Sequence, residues 1–153
     1  MTLDLAGIRA AVESHALASG HLDRSTGHEP DHGPGQGISA AVWVDEVRPV
    51  RARSGLASTS ALVVLQLRLQ MPMTYEPADD IDPLLLGAAD ALMRAYSGDF
   101  ELGGEVAAVD LLGMSGGPSL QGKAGYLPQD DQLYRVFVIT LPLLVDDLWE
   151  QVA

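Results

Sequence analysis

The chain has 153 residues, no cysteine and a formal net charge of −12, from 21 acidic and 9 basic side chains. That length sets the expectation of a single domain over residues 1–153 with a core of its own, and the lack of cysteine excludes disulfides and thiolate metal sites. The acidic excess argues against wrapping nucleic acid, which needs clustered Lys and Arg against the phosphates, and no apolar run approaches the roughly 20 residues that cross a bilayer.

Residues 2–19 predict an amphipathic helix, with Leu5, Ile8, Val12 and Ala16 at helical spacing, Thr2 or Asp4 as cap and Gly20 as stop. Residues 21–37 predict a loop. Within it His21, Asp23, His28, Glu29, Asp31 and His32 are of metal-ligating type. Their spacing matches no known site, and HEPDHGPGQG is too rich in Gly and Pro to preorganise ligands. A solvated or partner-ordered loop is the plainer reading, and no metal or cofactor is expected. Residues 38–47 predict a strand with Ile38, Ala40, Val42 and Val44 on one face and Trp43 on the other, where it serves a subunit contact or caps the sheet edge. Arg48, Arg51 and Arg53 follow between strand and turn residues. They form either a solvated hairpin tip or a plug for an acidic surface.

The cleanest alternation runs from Val63 to Met71: Val63, Leu65, Leu67, Leu69 and Met71 on one face, Val64, Gln66, Arg68 and Gln70 on the other. It predicts a strand with one covered face and one turned to solvent, a partner or a channel, paired as an antiparallel hairpin with 38–47. Asp79, Asp80, Asp82 and Pro83 predict a helix start with a capping Asp. Ile81, Leu84, Leu85, Ala88, Leu92 and Tyr96 supply its apolar face, and Ser97–Gly98 ends it. Residues 104–112 predict a third strand. Residues 113–131 predict a long Gly-rich loop that is not a phosphate loop, because Gly122-Lys123 runs into Ala124-Gly125 instead of Ser or Thr. Residues 133–145 predict a last strand that is apolar on both faces, with Phe137, Ile139, Leu141 and Leu143 against Val136, Val138 and Leu144. It is expected to be central or covered by a neighbouring subunit, with Pro142 marking an edge or bulge. Residues 146–153 read as a possible extra C-terminal helix. No nucleophile–base pairing is visible, so no enzymatic activity is expected.

The expected fold class is α+β: an antiparallel or mixed four-stranded sheet with one long helix packed on a face, an N-terminal helix and long hairpin loops. From Leu5 to Val145 this order resembles the tail terminator proteins of long-tailed bacteriophages. The resemblance is carried by VVLQLRLQMPM with its acid-rich turn, by IDPLLLGAADALMRAYSG, and by EVAAVDLLG and LYRVFVITLPLLV around the Gly-rich loop. It implies a structural virion protein that assembles with itself as a ring, as a hexamer. Such a ring caps the tail tube protein, ends its polymerisation and docks a head–tail connector protein, with DNA passing through the bore without specific binding. The expected location is the head-proximal end of the tail, assembled in a host cytoplasm, with no membrane partner. Asp4, with no basic patch ahead of the apolar residues, reads as a poor secretory signal, so none is expected. The candidate interface residues are Arg48, Arg51, Arg53, Trp43, Phe137 and Ile139. Other readings are another head–tail connector or completion protein, the cap of a phage-like injection particle, or a small metal-binding protein using the His-rich loop.

Overall fold

The computed structural model describes residues 3–29, 37–50, 54–55 and 57–150. Strand β3, Ser58–Pro72, is the axis of an α+β fold. Its alternation sets the architecture: Val63, Leu65, Leu67, Leu69 and Met71 are each at most 1% exposed and point into the main core. On one side β3 pairs antiparallel with β2, Ser39–Pro49, through a register that sets Val42 against Leu67. On the other it pairs antiparallel with β6, Gln132–Glu150, setting Leu67 against Ile139. A three-residue strand β1, Arg24–Thr26, adds parallel to β2. Two further strands share the outer edge of β6: β4, Ala108–Val109, and β5, Gln121–Gln129. The result is a mixed six-stranded sheet with both helices, α1 (Leu5–Ala18) and α2 (Ile81–Gly98), packed on one face.

The helices form where the apolar spacing places them. α1 is capped by Asp4, whose Oδ1 accepts from the Gly7 N–H at 3.0 Å, and buries Ile8, Val12 and Ala16. Thr2, the other expected cap, lies outside the described residues. α2 buries Ile81, Leu85, Ala88, Ala89, Leu92 and Tyr96, while Leu84 is 41% exposed and falls off the expected stripe. Its start also differs from expectation. A single 3₁₀ turn, Ala78–Asp80, leads into it, and Asp80 makes no side-chain cap bond, so Asp79 and Asp80 favour the helix start through its dipole.

Four expectations are corrected along the second half of the chain. The strand expected over 104–112 shrinks to the two residues of β4, preceded by a 3₁₀ turn at Leu102–Gly104. Half of the loop expected over 113–131 is strand β5. It joins β6 by a two-residue turn with Asp130 and Asp131 both at positive φ, the geometry that matches strand twist. Residues 146–150, expected as helix, continue β6 past an irregularity at Asp147 (φ 51) and pair with Ser58 and Thr59. Pro142 sits in the middle of the sheet and not at an edge. Its carbonyl accepts from Asp110 N–H, so its missing N–H faces the break between β5 and β4, where no ladder bond is lost.

The two helices are joined at one end by polar contacts. Tyr96 Oη donates to the Val12 carbonyl at 3.0 Å, and burial pushes the Tyr96 phenol well up. His15 Nε2 lies 2.8 Å from Asp99 Oδ2, beyond the end of α2. Asp99 also accepts from Gly103 N–H, and this bond first, then His15, lowers its carboxyl below the usual range. A carboxyl with a lowered folded pKa contributes stability above its unfolded value of about 3.9, and that contribution is lost as pH falls through the folded value. Asp99→Asn is therefore expected to unfold at lower urea than wild type at pH 7, with the gap closing below about pH 4. A gap that stays constant down to pH 3 would show that the charge of Asp99 contributes nothing.

Candidate functional site

Because both helices cover one face, the other face of the sheet has no helix on it among the described residues. Register places its side chains in three rows across β2, β3, β6 and β5: Trp43, Gln66, Thr140 and Gln121; Ala41, Arg68, Val138 and Lys123; Ser39, Gln70, Val136 and Gly125. The rows are tied by polar contacts. Gln66 Nε2 donates to Asp45 Oδ2 at 3.2 Å, Thr140 Oγ1 to Gln66 Oε1 at 3.3 Å, and Gln70 Nε2 to Gln129 Oε1 at 3.3 Å. Trp43, Gln66, Val138 and Thr140 remain half-buried, and a shallow depression of about 220 Å³ opens over Val136, Val138, Thr140 and Lys123.

Arg68, in the middle row, is the feature that sequence reasoning missed. Alternation marks it as outward-facing, yet it is only 7% exposed. Its guanidinium lies 5.2 Å from the Trp43 ring, Nε donates to Gln70 Oε1 at 2.6 Å, and Nη1 reaches Glu29 Oε1 at 3.5 Å. Nη2 is buried without a hydrogen-bond partner among the described residues. Desolvation is the largest influence on the group and lowers its pKa, with Glu29 acting in the opposite direction. A tryptophan two residues before a polar strand end is the only sequence signal for this arrangement, and it does not identify the pairing.

Towards the hairpin tip the same face carries a small second core of Val50, Leu62, Val64 and Leu144, with Ala108 against it. The segment after β4 folds over it, and a Cβ added at Gly117 would strike the Leu62 side chain. Asp110 shapes that segment. Its Oδ1 accepts from Met114 N–H at 2.9 Å and its Oδ2 from Ser115 N–H at 3.0 Å.

The expected interface residues fall in different places. Arg48 is tied to its own chain, with Nη2 donating to the Gly116 carbonyl at 2.8 Å and Nε 3.2 Å from Glu46. Arg51 and Arg53 lie outside the described residues. Trp43 is on the helix-free face, as its alternation requires. Ile139 is wholly buried in the main core and offers no surface to a partner. Phe137, on the helix-covered face, is half-buried and lines a groove of about 200 Å³ with Asp82, Leu85, Leu86, Ala124 and Arg135. At its rim Arg135 Nε donates to Asp82 Oδ1 at 2.8 Å, and the guanidinium lies 4.3 Å from the Tyr126 ring. The bond to Asp82 raises the Arg135 pKa.

The potential metal ligands do not converge. Among the described residues no group of three or more His, Asp or Glu is placed to hold an ion. His28 lines a separate depression beside Arg9 and Trp43, Glu29 faces Arg68, and Asp23 Oδ2 accepts from Ile38 N–H at 2.9 Å. Asp31 and His32 lie outside the described residues. No described helix is long and apolar enough to cross a membrane. The sequence matches no family model, and comparison with curated proteins finds no match.

Proposed function

We propose that this chain is a structural virion protein of the tail-terminator kind: it forms a ring of copies, as a hexamer, that caps the tail tube, ends its growth and offers a docking face to the head–tail connector. The observation that supports this most is the one-sided sheet. A ring needs a heterologous contact, in which one patch of each copy fits a different patch of the next. A two-layer domain with helices on one face and half-buried Trp43, Gln66, Val138 and Thr140 on the other presents two such unlike sides. The net charge of −12 suits a bore through which DNA passes without being held. No residue is asked to perform covalent chemistry.

The reading is tested by sedimentation and cryo-EM of the purified protein and of tails that contain it. Closed rings at the end of the tube are expected; a monomer at all concentrations that also fails to bind tails overturns it. The hairpin tip gives a sharper measurement. Arg48, Arg51 and Arg53 lie within six residues of one another in a chain of net charge −12, and each exposed pair across a rim contributes only about 0–1 kcal/mol, so the three must act together. Replacing all three by Ser is expected to weaken ring formation or tail attachment without unfolding the domain, and added salt should reproduce the defect in wild type. Normal assembly of the triple variant would leave the tip merely solvated.

A further inference from the structure

We infer that Arg68 is a socket for a carboxylate of a neighbouring copy, and that Asp79 or Asp80, in the exposed turn before the second helix of that copy, is its occupant. The inference rests on the ring reading and specifies its heterologous contact. Arg68 is a buried cation with an unfinished set of partners. Its fork of donors is half used: Nη1 meets Glu29 at 3.5 Å, at the long limit of a hydrogen bond, while Nη2 is buried with no partner among the described residues. Glu29 is held loosely, its side chain 59% exposed against 8% for that of Arg68. A carboxylate that displaced Glu29 would bridge Nη1 and Nη2 together, the bidentate geometry that guanidinium favours and Glu29 does not provide. Trp43 and Gln70 already hold the guanidinium in place, so docking requires no reorientation of the arginine.

The occupant follows from charge and placement. Glu76, Asp79 and Asp80 are all exposed, and the helix start they precede takes no side-chain cap bond from them. The turn leaves β3 at Pro72, four residues beyond Arg68, and leads into the helix layer. Socket and turn thus lie at the same end of the domain but on opposite sides of the sheet, as a head-to-tail contact requires. An isologous pairing would need both patches on one side.

The experiment measures self-association by sedimentation velocity for wild type, Arg68→Gln, the double variant Asp79→Asn/Asp80→Asn, and Glu29→Gln, with thermal unfolding confirming that each is folded. Arg68→Gln and the Asp double variant should each associate at least about tenfold more weakly than wild type, and Glu29→Gln, which removes the internal competitor, more tightly. Should Arg68→Gln fail to fold, Arg68→Lys keeps the charge and loses the fork, and is expected to associate weakly as well. The decisive measurement is a mixture. Each weak variant retains one intact patch, so equal amounts of Arg68→Gln and the Asp double variant should form a two-chain species and nothing larger. Wild-type association by the Asp double variant, with Arg68→Gln defective, would mean that another carboxylate or another protein fills the socket, and overturns the inference. Wild-type association by both variants overturns it while leaving the ring intact. A wild type that never associates removes the ring reading itself.

Discussion

Ile139→Ala is expected to cost about 2–5 kcal/mol of folding stability, whereas Val138→Ala, one residue earlier, should cost about 1 kcal/mol or less. The contrast follows from the period of a strand, which sends neighbouring side chains to opposite faces. Ile139 lies opposite Leu67 on β3 and Gly122 on β5, within the core closed by both helices, and is fully buried. Removing three of its carbons leaves a cavity that a sheet hydrogen-bonded on both sides cannot collapse into. Val138 lies on the helix-free face and is half-buried, so its methyl groups exchange partial contact for water. Urea unfolding of both variants, with unchanged slopes, measures the difference. In assembly the order should reverse, with Val138 perturbing self-association and Ile139 acting only through stability. Equal costs for the two would mean that β6 is in the wrong register.

How far the sequence foretells this fold depends on how much each segment must bury. The β2–β3 hairpin and both helices are plain in the sequence because Val42, Leu67, Ile8 and Leu92 recur at the periods of strand and helix. β5 is hidden because QGKAGYLPQ buries almost nothing: as an edge strand it is held by the ladder with β6, and a Gly-rich edge has no alternation to show. Gly122 makes room there for a residue outside its own segment, since a Cβ would displace the Phe137 ring. The last residues of β6 read as helix because Leu148 and Trp149 sit beside acids, but β3 begins at Ser58 and offers them a partner strand. Pairing over so many residues of sequence separation leaves no local trace. Arg68 marks the same limit at the candidate site. Polar alternation places it on the open face, but its burial depends on Glu29, 39 residues earlier, and on Trp43 across the sheet.

Asp110→Ala is expected to lower stability by about 2–4 kcal/mol and to release the segment that covers the second core. Asp110 is 6% exposed, and its two carboxylate oxygens each accept a backbone N–H, from Met114 and Ser115. Bonds to a charged acceptor contribute about 1.5–3 kcal/mol each, and their loss leaves two amides to find water. The effect should travel. Gly116 supplies the carbonyl that holds Arg48, and Gly117 lies against Leu62, so freeing this turn loosens both the hairpin tip and the apolar patch beneath it. Hydrogen exchange should therefore rise most at Met114 and Ser115, next at the tip end of β3, and at Leu67 and its neighbours only by the loss of global stability. Asp110→Asn retains one acceptor but turns an amide NH₂ towards a backbone donor, so it should fall between wild type and Ala. Because the tip arginines are a second proposed protein contact, ring formation or tail attachment should weaken in the same order: wild type, Asn, Ala. If Met114 and Ser115 exchange as in wild type while stability falls, Asp110 acts through burial alone and the tip is positioned by something else.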